Sequence, residues 1–169
     1  MNRREITQEL GQAGAQELLA SAPLLRLAYN GRDALPRVIP IGFHWNGESI
    51  VICTATTSPK VRALSARPEV AVTIDAGSSP AEARSLLVRG VATLEAVDGI
   101  PEEYIAGSRK VLDPEQVEAF EHQVALMYEQ MVRISIEPRW ARFYDFGAGR
   151  LPSFLSKLAS EAAERQAGV

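Results

Sequence analysis

The chain has 169 residues, enough for one domain with a real core, and its 46% hydrophobic and 23% charged content is that of an ordinary soluble globular protein. With 18 basic against 21 acidic residues the net charge is -3, which argues against a general nucleic-acid binder, because such a protein carries a basic face. No apolar stretch is long enough to cross a membrane and none follows Arg3-Arg4, so no membrane partner and no export signal are expected, and the protein is expected in the cytoplasm. Cys53 is the only cysteine; it excludes an intrachain disulfide or a cysteine-based zinc site and reads as a small core residue of a strand.

In chain order, Thr7 can cap a first helix running to about Ala20, with Ile6, Leu10, Ala13, Leu18 and Leu19 on its buried side and Pro23 beyond its end. "LLRLAY" (24–29), "RVIPIGFHW" (37–45) and "ESIVICTA" (48–55), separated by Asn30-Gly31 and Asn46-Gly47, read as an antiparallel meander. Ser58-Pro59 supplies an N-cap and first helical position for a short helix. "EVAVTID" (69–75) points Val70, Val72 and Ile74 one way. In "SLLVRGVATLEAV" (85–97), Gly90 marks a bulge or a tight bend. Residues 101–130 turn helical, the second helix carrying Val117, Phe120, Val124, Met127 and Tyr128 as its apolar stripe. "MVRISIEP" returns to strand with Val132, Ile134 and Ile136 on one face, "RWARFYDF" (139–146) continues extended, and a terminal helix closes the chain. The expected organisation is an N-terminal helix (1–22), a barrel domain (23–147) and a C-terminal helical tail (148–169). The fold class is mainly β with helices: a small barrel of about six antiparallel strands.

The stretch "TTSPKVRAL" (56–64) poses an electrostatic question. Lys60 and Arg62 sit at the start of a helix, where the macrodipole disfavours cations. Either an anion belongs there, held by backbone N–H groups, the Ser58 hydroxyl and the two cations, or both are solvated surface side chains. There is no G-x-G-x-x-G, Walker loop or G-x-S-x-G elbow. His44 and His122 lack metal-ligand spacing, and Glu102/Glu103 and Glu118/Glu121 fit a solvated helix face. No side-chain constellation is self-sufficient for catalysis, so chemistry here needs a cofactor. Pro40, mid-strand between Ile39 and Ile41, marks a strand edge that is free or bulged, along which a planar ring could lie. Trp140, interleaved with Arg139 and Arg142, suits stacking on an aromatic ligand, or serves as one side of an ordinary strand.

The order of these pieces resembles the flavin-binding split-barrel superfamily, the pyridoxamine 5'-phosphate oxidase-like proteins. The pieces are the strand with its mid-strand proline, the hairpin, "TTSPKVRAL" before "RPEVAVTID", the long strand "LLVRGVATL" and the closing "MVRISIEPRWARFYDFG". The resemblance covers roughly residues 20–147. It implies a split barrel of the FMN-binding type and a homodimer with a flavin in each of two intersubunit grooves. Ile39, Pro40 and Ile41 would back the ring, with Trp140 as an aromatic contact. The segment Ala55, Thr56, Ser58, Lys60, Val61, Arg62 would grip the phosphate, Ser58 and Lys60 being the closest matches. No metal site is implied. The family's pyridoxamine-phosphate oxidases carry a C-terminal arginine-rich substrate motif, which Arg150-Leu151-Pro152 echoes only faintly. The resemblance is therefore closer to the branch that uses FMN or the deazaflavin coenzyme F420 to reduce quinones, enones and other conjugated small molecules. The expected function is an oxidoreductase of that kind, with a flavin-binding or storage module and an empty dimeric scaffold as the alternatives. The anionic glutamyl tail of F420 needs a basic groove, which Arg37, Arg62, Arg67, Arg84 and Arg89 supply if the fold gathers them.

Overall fold

A computed structural model describes residues 1–167. Two helices lead, α1 (Arg3–Leu10) and α2 (Ala13–Ser21), where the sequence pattern predicts one. Asn2 accepts from the Glu5 N–H while the Glu5 carboxylate accepts from the Asn2 N–H, and this reciprocal cap starts α1 well ahead of Thr7. The break at Gly11-Gln12 turns Ala13 to solvent and buries Ala15, Leu18 and Leu19. There follow β1 (Leu24–Asn30), β2 (Pro36–Gly42), β3 (His44–Trp45), β4 (Ile50–Ala55), α3 (Pro59–Ala66), β5 (Glu69–Ala76) and β6 (Arg84–Asp98). The chain ends with α4 (Glu102–Ser108), α5 (Pro114–Met127), β7 (Gln130–Asp145) and α6 (Ser153–Ala167). Among the described residues, no helix is long and apolar enough to cross a membrane.

The seven strands form one antiparallel sheet in the order β2-β1-β5-β6-β7-β4-β3. The count exceeds the expected six because the predicted strand 37–45 breaks at Phe43, whose ring is buried. Up to Gly42 the segment pairs with β1; from His44 it pairs with β4. Those two partners lie near opposite ends of the sheet, and Phe43 alone joins β2 to β3. The sheet must therefore curl until its two edges meet within one residue, although no ladder closes it.

The main core lies inside this curl, with Ile50 and Ile52 of β4, Ile134 and Ile136 of β7, and Leu18 and Leu19 of α2 fully buried. β4 is buried on both faces, since Val51 and Cys53 join Met131 in a second cluster against Tyr104 and Tyr128. α4 and α5 cover that side through Ile105, Val117 and Val124. Met127 departs from the expected stripe: α5 ends there, and its side chain is 61% exposed. Gly90 marks the bulge, but the extra residue is on β7. Arg89 faces Trp140 and Gly90 faces Pro138, leaving Arg139 unpaired. A Cβ on Gly90 would stand 2.5 Å from the Glu137 carbonyl oxygen, so only glycine allows this approach.

Glu9 fastens α1 to the sheet. Its buried carboxylate accepts from the Phe143 N–H at 2.9 Å, from Arg150 at 2.6 Å and from Arg142 at 3.1 Å. Burial pushes its pKa up, but the Phe143 N–H and the two guanidinium groups outweigh that and hold it below the ordinary glutamate value. The carboxylate is thus favoured in the fold. Its contribution is complete above the usual glutamate range and is lost as the pH falls through the lower folded value. Glu9→Gln keeps an acceptor for Phe143 but removes the charge; the expected cost at pH 7 is about 1.5–3 kcal/mol. Thermal melts should show the mutant less stable at neutral pH and the gap shrinking as the solution is acidified. A gap that stays constant down to pH 2 would show that the charge contributes nothing.

Candidate functional site

Ser58 occupies the N-cap position of α3, yet its hydroxyl caps nothing. It accepts instead from Lys60 Nζ at 2.7 Å, and Lys60 Nζ also donates to Thr54 Oγ1 at 2.9 Å. Pro59 between them has no N–H to satisfy, so the turn forms without the serine side chain. Lys60 is half-buried, and burial pushes its pKa down. Among the described residues it has no carboxylate within ion-pair distance. A half-buried ammonium held only by two hydroxyls retains charge to give, and the hydroxyls can turn to donate. A phosphate matches such a donor set.

Two cavities flank this turn. The larger, of about 680 Å³, is lined by Ile41, Ala55 and Ser58 and by the buried Cys53 with Tyr104 and Tyr128 packed against its cluster. The smaller, of about 400 Å³, is lined by Thr57 and Arg62 on the α3 side, and by Tyr29, Arg32, Asp33 and Arg37 on the β1–β2 side. Arg37 pairs with Asp33 at 2.7 Å, while Arg32 and Arg62 have no carboxylate partner among the described residues. The α3 N-terminus thus separates an apolar chamber from a basic one.

The expected residues divide accordingly. Ile41, Ala55 and Ser58 line the larger cavity, Lys60 bonds Ser58 beside it, and Arg62 lines the smaller one. Ile39 and Val61 are half-buried and pack on the main core, while Pro40 and Thr56 are exposed. Pro40 sits opposite Arg26 on β2, which is an edge strand. Trp140 lines neither of these cavities; the Arg89 guanidinium lies 4.3 Å from its ring centroid on the β6–β7 ladder. Of the five arginines named for a basic groove, the fold brings Arg37 and Arg62 together. Arg67 donates to the Gly31 carbonyl, Arg84 pairs with Glu17 and Arg89 covers Trp140.

Several residues were not legible as site residues. Thr54 reads as one more strand residue until Lys60 folds back on it. Glu103, expected on a solvated face, is half-buried, and its Oε1 accepts from Arg133 Nε at 2.8 Å and Nη2 at 2.6 Å. The Arg133 hydrogen bonds hold the Glu103 carboxyl below its ordinary value. The available signal was Arg133 itself, since an arginine in an otherwise apolar strand needs a partner. Burial pushes the Cys53 thiol up to about 12, so at neutral pH it is a packed side chain and no nucleophile. Arg150 is committed to Glu9 and to the Phe143 carbonyl, so it is not free to bind substrate.

No curated protein sequence matches this chain. Among solved structures it is similar to a conserved hypothetical protein of Mycobacterium tuberculosis, with 20% identity, a TM-score of 0.62, and 90% of this chain and 89% of that one covered. It is also similar to an F420 reductase, with 24% identity, a TM-score of 0.56, and coverage of 75% and 94%. A heme-binding protein of Mycobacterium smegmatis shares 20% identity, with a TM-score of 0.59, over 80% of this chain and 53% of that one. These likenesses establish a shared fold. The family model described as pyridoxamine 5'-phosphate oxidase matches residues 12–142, most of the chain, and the chain belongs to that family.

Proposed function

We propose that this protein is an oxidoreductase that uses a phosphorylated flavin or deazaflavin to exchange hydride with a conjugated small molecule. The observation that carries the reading is Lys60, half-buried without a carboxylate partner among the described residues and standing on Thr54 and Ser58 between an apolar cavity and a basic one. The bound cofactor supplies the hydride chemistry. The chain supplies a phosphate anchor at Lys60 and Ser58, a surface for the ring along Ile41 and Ala55, and a chamber that excludes water. FMN ends at its phosphate, whereas F420 continues into an anionic tail. Arg32 and Arg62 offer unpaired charge for such a tail just beyond the α3 turn, which favours the deazaflavin.

The site is completed by a second copy on this reading. Leu24, Leu35 and Val38, at or beside the β1–β2 edge, are 50%, 59% and 64% exposed, a grouping of apolar side chains that marks an interface. A two-fold dimer at low micromolar concentration is expected in sedimentation, and a monomer there would remove any intersubunit groove.

Lys60→Ala should weaken cofactor binding at least about tenfold without lowering the melting temperature, because a charge-assisted contact is lost. Because burial has pushed the Lys60 pKa down, wild-type affinity should begin to fall at a lower alkaline pH than for a solvated lysine. Titration of FMN and of F420 into both proteins checks this, and equal affinities would return Lys60 to a structural role. His44→Gln and His122→Gln should each leave single-turnover rates within about tenfold, since a true general acid or base contributes about 10²–10⁴. Cofactor that binds but is oxidised by quinones and enones no faster than in free solution would point instead to a storage or binding module.

A further inference from the structure

The larger cavity has two unlike ends. At the outer end lie the half-buried Ser58 and Ala55, next to Lys60; the inner end is marked by the buried Val51 and Cys53 of β4, with Tyr104 and Tyr128 packed against them and Phe120 stacked on Tyr104. At about 680 Å³ it lies within the range of cavities that enclose whole small molecules. Neither phenol makes a hydrogen bond to protein among the described residues, and no fully buried side-chain polar atom there lacks a partner. Both hydroxyls are therefore accessible on residues that line the cavity. The Tyr104 ring is fixed by stacking on Phe120, with centroids 5.8 Å apart. Burial pushes the Tyr104 phenol up, so it keeps its proton and acts as a donor.

The charge on this wall is already paired. Glu103 is the ionised group of the lining, and Arg133 serves its Oε1. Among the described residues no lysine or arginine lines the cavity, and Arg133 is already engaged by Glu103, so a buried anion at the inner end would find no free cation. A carbonyl oxygen, in contrast, finds two phenolic donors on apolar walls.

We infer that the inner end of this cavity binds an uncharged, flat, largely apolar molecule bearing a carbonyl-type oxygen, oriented by the Tyr104 and Tyr128 hydroxyls. Its role as hydride acceptor rests on the cofactor reading above; the binding site does not. Anionic ring systems, such as those carrying carboxylate or phosphate arms, are excluded from this end.

The test uses two probes that share three rings and two carbonyls, 2-(hydroxymethyl)anthraquinone and anthraquinone-2-sulfonate, titrated calorimetrically into the full chain. Neither probe arylates thiols, so Cys53 does not confuse the result. The neutral probe should bind at least about tenfold tighter than the sulfonate. Tyr104→Phe and Tyr128→Phe, which keep the rings and the packing, should each weaken it about three- to tenfold, the loss of one hydrogen bond. Melting temperature and cofactor affinity should stay unchanged in both variants, and Lys60→Ala should leave probe binding unchanged. Equal affinity for the sulfonate, or wild-type affinity in both phenylalanine variants, overturns the inference. Tyrosine-dependent binding of the neutral probe by a protein that takes up neither FMN nor F420 supports the site and overturns the cofactor reading alone.

Discussion

A single residue links the two ends of the sheet. β2 ends at Gly42 against β1, β3 begins at His44 against β4, and Phe43 alone joins them. Chain geometry allows only a few ångströms for that step, so a seven-stranded sheet has to curl back on itself. The curl creates the enclosed volume that the apolar side chains fill. It also carries Ile41, on one edge strand, to the same cavity as Ala55, the last residue of a strand near the other edge, and Ser58 just beyond it. The buried Phe43 ring, with the Lys110 ammonium 3.5 Å from its centroid, fixes the crossing from inside.

The electrostatics of the α3 turn follow from that placement. A helix N-terminus disfavours cations, and burial disfavours them further, so Lys60 stands where two effects oppose its charge. A position selected for stability alone would carry an acidic or a small polar residue. Lys60 instead takes the serine that would otherwise cap the helix and a threonine from the end of β4. On the proposed reading, the cofactor's phosphate completes this donor set. The flanking cavities differ in their lining: one side carries arginines without a carboxylate partner among the described residues, the other phenols, a neutralised carboxylate and apolar walls.

Other charged residues serve the framework. Glu9 gathers Arg142, Arg150 and the Phe143 N–H, which docks α1 on β7 and engages the arginine just beyond that strand. Arg133 and Glu103 tie α4 to β7 and hold the wall of the apolar chamber in place. A chain of slightly acidic net charge can therefore present locally basic surface, because its carboxylates neutralise the structural arginines and leave Arg32 and Arg62 without a carboxylate partner among the described residues.

The sequence by itself determined the elements whose signals are local. Alternation of Val70, Val72 and Ile74 marked β5, Asp113-Pro114 marked the start of α5, and Ser58-Pro59 placed α3 at its observed position. It also placed Gly90 at the bulge and Lys60 in the first turn of α3, because a glycine within a strand and a cation at a helix start each contradict a local preference. What it could not show depends on contacts between distant segments. The break at Phe43 is invisible in an unbroken apolar run, since both halves satisfy strand periodicity whichever partner they pair with. Glu103 reads as a surface carboxylate until Arg133, thirty positions later, meets it across the sheet. Only the tertiary structure decided which arginines are free, because a charge is spent or available according to the partner that folding delivers, and no local pattern records that partner.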